Sequence, residues 1–445
     1  MPSPEPNPVG HPEPRAFARV EGRTAVAPPP PSAFAAFDVL DRRLTPESPA
    51  PVGVAFSGGG DSLMALKAVT AWAARHNRPV IAFHVDHRLQ AASGAWAESA
   101  RQAAERLSAA YVGLSWDGPK PDTGLPAAAR AARHRLIADA ARAAGVRVLV
   151  IGHTADDRIE ADLMRAAGHR MGELREWSPS PIWPEGRGLF HLRPLLAVRR
   201  AAIRQALAAE GETWIDDPVN QDLRSPRARA RPDAALAEQS CPQAQETELS
   251  RLAILASVGV GGDIRIDRER LRSAPRAAVR ALIGAATTCV GGAASPARSG
   301  RLEALTDRVL GPAPFAGVLS GAKVLAAEEI VFVRDAGEAA RGGLKPLQLA
   351  TGETGVWDGR FEIRAGPDPV TVARLAGHAA ALPPAQRAAL KALPAPVRPG
   401  LPVMIGSGGA PACPILAEDR SIAVNLLVAG RFHAACGVIS KEPAT

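Results

Sequence analysis

The feature that most constrains this chain is the run Ser57-Gly58-Gly59-Gly60-Asp61-Ser62, set between Val52-Gly53-Val54-Ala55-Phe56 and the Ala/Leu-rich stretch from Leu63 to Ala74. The upstream run is short and continuously apolar, as a buried strand is, and the downstream stretch has the length and composition of a helix. Consecutive glycines between them let the backbone turn sharply and aim its N–H groups into one concavity. The following helix adds the positive end of its dipole, and Ser57 and Ser62 add hydroxyl donors. Such a loop can hold a pyrophosphate without a lysine. It is not a Walker A loop, because no Gly-Lys-Ser/Thr follows, and it is not GxGxxG. Asp61 would repel a phosphate unless a cation came between them, which calls for Mg²⁺ at Asp61. A second glycine-rich run, Gly406-Ser407-Gly408-Gly409, leads into Ala410-Pro411 with no Asp-Ser pair and no helix start, and reads as a plain loop.

Around the first loop, short apolar runs alternate with longer Ala/Arg stretches. Val80 to Val85, Tyr111 to Leu114 and Val146 to Ile151 read as strands; residues 92–109 and 126–144 read as helices. This alternation predicts an α/β fold, a doubly wound parallel sheet covered by helices on both faces, with ligands at the carboxyl ends of the strands. At 445 residues the chain is too long for one core. Residues 1–32 are Pro-rich and read as a disordered extension, 33–232 as the catalytic domain, 233–322 as an Ala-rich helical middle, and 323–445 as a small α+β domain. Val356-Trp357-Asp358-Gly359-Arg360-Phe361 has the pattern of a hairpin with an Asp-Gly turn.

The 53 basic and 45 acidic residues leave a net charge of +8, which suits a polyanion such as nucleic acid, although a GC-rich gene would also enrich arginine. The four cysteines, Cys241, Cys289, Cys413 and Cys436, form no CxxC pair, which argues against a zinc ribbon, an iron–sulfur cluster or a disulfide scaffold. With no apolar run of about twenty residues and no basic-then-apolar start, a cytoplasmic protein with no membrane partner is expected.

Several polar residues fall at the expected strand ends. Asp157 and Glu160 stand three apart at a helix start and share a face, where they either bind a cationic ligand or merely complement the helix dipole. Asp86 ends its strand as a ligand contact or a cap. His84, His87 and His153 match no zinc spacing and read as hydrogen-bonded structural groups. Arg130 and Arg133 share a helix face, and Arg227, Arg229 and Arg231 run without an intervening acid; both sets suit phosphate, or solvent.

The loop resembles the signature of the PP-loop, or N-type ATP pyrophosphatase, superfamily. His84-Val85-Asp86-His87-Arg88-Leu89, the segment from Gly152 to Glu160, Arg193-Pro194-Leu195-Leu196, and Trp214-Ile215-Asp216-Asp217-Pro218-Val219-Asn220 are similar, in order, to segments of the tRNA(Ile)-lysidine synthetases. The resemblance implies a two-step reaction. ATP adenylates the wobble cytidine of tRNA(Ile) with a CAU anticodon, and L-lysine then displaces AMP. It also implies ATP and Mg²⁺ as cofactors. ATP would lie on Ser57, Gly58, Gly59, Gly60, Asp61 and Ser62, with Asp86 and His153 nearby. Lysine would lie at Asp157 and Glu160, and Asp61, Arg133 and Arg227 would serve the chemistry. Arg158, Ala161, His134, Pro126 and Ala228 depart from the family pattern. A base thiolase of the same superfamily would need cysteine pairs near the site, and none precedes Cys241. A non-catalytic binding protein would tolerate loss of Asp61, Asp157 or Glu160, and all are present. Pairing into a homodimer is left open.

Overall fold

The structure is a computed structural model that describes residues 31–167, 173–216, 244–297, 299–416 and 423–444. Its first part alternates as expected: α1 (Pro31–Arg43), β1 (Val52–Ala55), α2 (Gly60–His76), β2 (Val80–Asp86), α3 (Ser93–Arg106), β3 (Ala110–Ser115), α4 (Leu125–Ala143), β4 (Val148–Ile151), α5 (Ala155–Ala166), β5 (Trp177–Pro179), β6 (Phe190–Leu192) and α6 (Arg200–Ala209). The strands form one sheet in the order β3-β2-β1-β4-β6-β5. Every pairing is parallel except that of β5 with β6.

Alternation along the strands divides the apolar residues between two cores. Val52, Val54, Val80, Ala82, Val148 and Val150 face one side, where α2 contributes Leu63, Met64 and Trp72. Ile81, Phe83 and Leu149 face the other, against Ile137, Ala138 and Ala141 of α4. Burial on both faces is why these strands read as unbroken apolar runs. The chain leaves β1 toward β2 on one side and returns to β4 on the other, so the topological switch point lies between β1 and β4. Ala55 pairs with Ile151, which starts the loops after β1 and β4 side by side. A crevice at such a switch point is where open α/β sheets bind ligands.

The helical stretch expected over 233–322 contains α7 (Ala244–Leu255), α8 (Arg268–Arg272), α9 (Arg276–Val290) and α10 (Ser299–Leu310). It also carries β7 (Ser257–Val258), β8 (Ile264–Asp267) and β9 (Phe315–Leu319). These join β10 (Ala322–Ala326) and β11 (Glu329–Arg334) in an antiparallel sheet of order β7-β8-β11-β10-β9, so one core spans residue 322. Two smaller antiparallel sheets follow, built from β12 (Leu347–Leu349), β15 (Val370–Arg374), β16 (Pro402–Ile405) and β17 (Pro411–Ala412), and from β13 (Thr354–Trp357), β14 (Phe361–Arg364) and β18 (Ala423–Leu426). Asp358 and Gly359 turn the β13–β14 hairpin with φ of 51° and 64°, the positive values an Asp-Gly turn supplies. Gly406 to Gly409 joins β16 to β17 as a plain loop.

The chain ends with α11 (Pro384–Ala392) and α12 (Val428–Ala435), after which it returns to the first domain. Trp177 Nε1 donates to Ile439 O at 2.8 Å, and Arg43 Nη1 to Ser440 O at 2.6 Å. Glu442 ends this strap in a buried ion pair with Arg78, each side chain only 1% exposed. Its carboxylate accepts from Arg78 Nη1 and Nη2 at 2.8 and 3.0 Å, from Thr45 N at 2.9 Å and from Ser48 Oγ at 3.2 Å.

Candidate active site

Beyond β1 the chain turns at Gly58 with φ of 84° and enters α2 at Gly60. No side chain caps α2. The N–H groups of its first turn therefore remain available to an anion. The two serines brace the loop: Ser62 Oγ donates to Gly59 O at 2.8 Å and lies 3.1 Å from Ser57 Oγ. Trp214 and Ile215 close over the same loop. Ile215 N donates to Gly58 O at 2.9 Å, and a Cβ at Gly58 would stand 2.4 Å from Ile215 Cδ1. Just after the neighbouring strand β4, a Cβ at Gly152 would stand 2.8 Å from Asp61 O and 2.9 Å from Ser62 Cα. Backbone cannot yield there as a flexible side chain could, so Gly152 is what lets β4 run against the start of α2.

Asp157 serves two masters. Its Oδ2 accepts from Thr154 N and Thr154 Oγ1, both at 2.8 Å, completing a capping box that starts α5. Its Oδ1 faces Arg200 Nη2 at 3.3 Å. The dipole-complementing role and an oxygen turned to Arg200 thus coexist in one residue. Glu160, with a side chain 1% exposed, accepts from Arg200 Nη1 at 3.1 Å, and Asp61 Oδ2 accepts from Arg200 Nε at 3.0 Å. Asp61, Asp157 and Glu160 are therefore brought together, and Arg200 binds all of them. Arg200 was not foreseen. The usable signal was chemical: acids converging on one strand end need a cation, and an arginine pair at 199–200 follows the Arg193-Pro194-Leu195-Leu196 segment. Burial pushes the Asp61 carboxyl above its ordinary value, an effect that Arg200 opposes and Asp157 reinforces. Three carboxylates thus share the one guanidinium of Arg200, with Arg204 acting on Asp61 from farther off.

The chain also matches known proteins over most of its length. Residues 38–235 match the family model of the PP-loop domain. The tRNA(Ile)-lysidine synthase of Caulobacter vibrioides is 49% identical over 412 residues, covering 91% of this chain and 98% of that protein. The chain belongs to the tRNA(Ile)-lysidine synthase family. The tRNA(Ile)-lysidine synthases of Mesorhizobium japonicum and Methylobacterium nodulans are each 36% identical; the matches cover 69% and 62% of this chain and 71% and 86% of those proteins.

The remaining residues expected from the tRNA(Ile)-lysidine synthase resemblance fall as follows. His153 follows β4, and Arg193 Nε donates to its Nδ1 at 3.0 Å. That bond makes Nδ1 an acceptor and places the proton of the neutral ring on Nε2. Arg193 is itself fixed by Arg175 O at 2.7 Å and Ser178 Oγ at 3.0 Å. Asp86 ends β2, where its Oδ1 accepts from Arg88 N at 2.7 Å and so caps a turn. His84 is buried, with Nδ1 3.0 Å from Phe56 O, and burial lowers its pKa, which makes it the structural group expected. His134, which replaces the family tyrosine, stacks on His191 at 5.8 Å, and burial followed by Arg133 and Arg130 lowers its pKa to about 3. Arg133 is half-buried beside it on α4. Arg227, Arg229 and Arg231 lie outside the described residues, as do Asp217, Pro218, Val219 and Asn220.

Among the described residues no group of three or more His, Cys, Asp or Glu side chains is arranged to hold a metal. A Mg²⁺ ion is ordinarily held by one or two carboxylates together with substrate phosphates rather than by an all-protein cage. Asp61, in the first turn of α2 beside the loop, offers one such carboxylate, with Oδ2 held by Arg200 Nε at 3.0 Å. No helix among the described residues is long and apolar enough to cross a membrane.

Proposed function

We propose that this chain is an ATP-dependent ligase that converts the wobble cytidine of tRNA(Ile) with a CAU anticodon to lysidine, releasing AMP and pyrophosphate. The observation that carries the reading is the joint placement of the uncapped glycine loop and the Asp157/Glu160 pair at the β1/β4 mouth, in a chain so closely related to tRNA(Ile)-lysidine synthases. The loop N–H groups and the start of α2 take the β- and γ-phosphates, positive ends facing the charge that develops on the departing pyrophosphate. Bound Mg²⁺ at Asp61 would supply neutralisation of that same charge. In the first step the cytosine carbonyl oxygen attacks the α-phosphorus, and the bond to pyrophosphate breaks. In the second the lysine ε-amine attacks the ring carbon bearing that oxygen; a C–N bond forms, AMP leaves with the oxygen, and the amine proton passes to solvent. Asp157 and Glu160 hold the lysine beside the adenylated base. His153, with its proton on Nε2, donates toward the nucleotide from the β4 loop, and Asp86 lines the same mouth. Arg133, and Arg227 beyond the described residues, bind nucleotide or tRNA phosphate. The setting is the cytoplasm.

The thiolase alternative lacks its chemistry here. The described cysteines Cys289 and Cys436 are buried in the middle core and Cys413 in the C-terminal one. Burial raises the Cys289 and Cys413 thiols to about 11, far from the reactive thiolate range. Cys241 lies outside the described residues. The test of the first step is AMP formation from ATP with a CAU tRNA(Ile) transcript and no lysine. Single-turnover AMP ester or free AMP that requires the transcript is expected; AMP release independent of RNA would mean that a base is not the acceptor.

A further inference from the structure

Arg200 is better placed than a surface ion pair needs to be. It is the first residue of α6, and its backbone N–H is fixed by Asp156 Oδ2 at 2.7 Å, while Arg199 pairs with Asp156 Oδ1 at 3.2 Å. Ala155 N donates to Val198 O at 2.9 Å, which ties the starts of α5 and α6 together. The capping box of Thr154 and Asp157 already holds the start of α5. The backbone of this corner is thus secured without the Arg200 side chain. That side chain is 18% exposed and sends each of its nitrogens to a different carboxylate: Nε to Asp61, Nη1 to Glu160 and Nη2 to Asp157. Asp61 belongs to the loop after β1, whereas Asp157 and Glu160 belong to the helix after β4. One guanidinium therefore spans the phosphate end and the amine end of the crevice, a task its rigid planar fork suits and a single ammonium does not.

We propose that Arg200 is a positioning residue for the amine substrate, its guanidinium aiming Asp157 and Glu160 while its bond to Asp61 fixes them relative to the phosphate loop. The proposal rests on the reading that these two carboxylates take lysine. A carboxylate buried as deeply as Glu160 calls for a charged partner. Arg200 is that partner without cancelling the site, because three carboxylates share its one guanidinium. Its anchoring through α6 keeps it in place, so the substrate joins the cluster rather than displacing the arginine.

The test is steady-state kinetics with labelled L-lysine, ATP, Mg²⁺ and tRNA on the full chain and on R200M, R200Q and R200K, each checked by thermal melting. Loss of charge-assisted contacts predicts a rise of about 10- to 100-fold in the lysine KM of R200M and R200Q. The tRNA KM is expected to stay within about twofold, since no tRNA contact is asked of Arg200. R200K keeps the charge but not the fork, and is expected to recover part of the lysine KM. A lysine KM that is unchanged or lower in a folded R200M or R200Q overturns the role of Arg200 alone. So does a parallel rise of the lysine and tRNA constants in folded R200K, the variant that also decides the matter if the neutral ones do not fold. No lysine uptake by the unmutated chain overturns the lysine reading and this proposal together.

Discussion

Asp61→Ala is expected to lower tRNA-dependent AMP formation by at least about 10²- to 10³-fold, the scale of losing one preorganised electrostatic element of a transition state. The same variant is expected to melt no lower than the unmutated chain at neutral pH. The reasoning comes from the site. Asp61 is held above its ordinary pKa chiefly by burial. An acid shifted upward is less favourable ionised in the fold than in the unfolded chain, so stability is gained as pH falls through the folded value and is lost above it. Alanine removes that cost. Arg200 loses one partner but keeps Asp157 and Glu160 at 3.3 and 3.1 Å, so no cation is stranded. Activity and stability thus part company at this residue, as they do where a site is strained for function. AMP release counted against thermal melting checks both halves; a near-native rate would remove Asp61 from the chemistry.

Arg78→Met is expected to cost about 3–5 kcal/mol of folding stability, because it leaves the buried Glu442 carboxylate without its cation. Thr45 N and Ser48 Oγ still donate to that carboxylate, but neither carries charge. The double variant Arg78→Met/Glu442→Leu is expected to recover most of the loss, since buried ion pairs can be exchanged for apolar groups at little cost. Denaturant unfolding of both singles and the double closes the cycle. A single-variant loss below about 1 kcal/mol, the range of exposed pairs, would show that the strap does not bury Glu442 against the first domain. The effect is remote from the crevice. Arg78 follows the C-terminal end of α2, whereas Asp61 sits at its start.

The first domain was legible because its physics is local. Strands buried on both faces write unbroken apolar runs, and the phosphate loop needs its glycines and serines in sequence. β5 and β6 escaped notice because each is only three residues long and one carries His191. β7 is only two residues long, β8 alternates apolar residues with Arg265 and Asp267, and β9 contains Gly317. The site divides the same way. Asp157 and Glu160 stand out by spacing, but spacing does not show that separate Asp157 oxygens face Thr154 and Arg200. Arg200 meets Asp61 across 139 residues, and only the need of converging acids for a cation points to that contact. Arg78 and Glu442 are farther apart still, and as isolated charges in polar neighbourhoods they give no sign that they will be buried together.

The measurement that bears most directly on the account is transfer of labelled L-lysine into an isoleucine tRNA transcript with a CAU anticodon, in ATP and Mg²⁺, beside an otherwise identical transcript with U at the wobble position. Label that enters the C-bearing transcript, is absent from the U-bearing one and disappears in Asp61→Ala is the predicted result. AMP formed on the C-bearing transcript with no lysine attached would contradict it, leaving an adenylating enzyme whose second substrate is a different nucleophile.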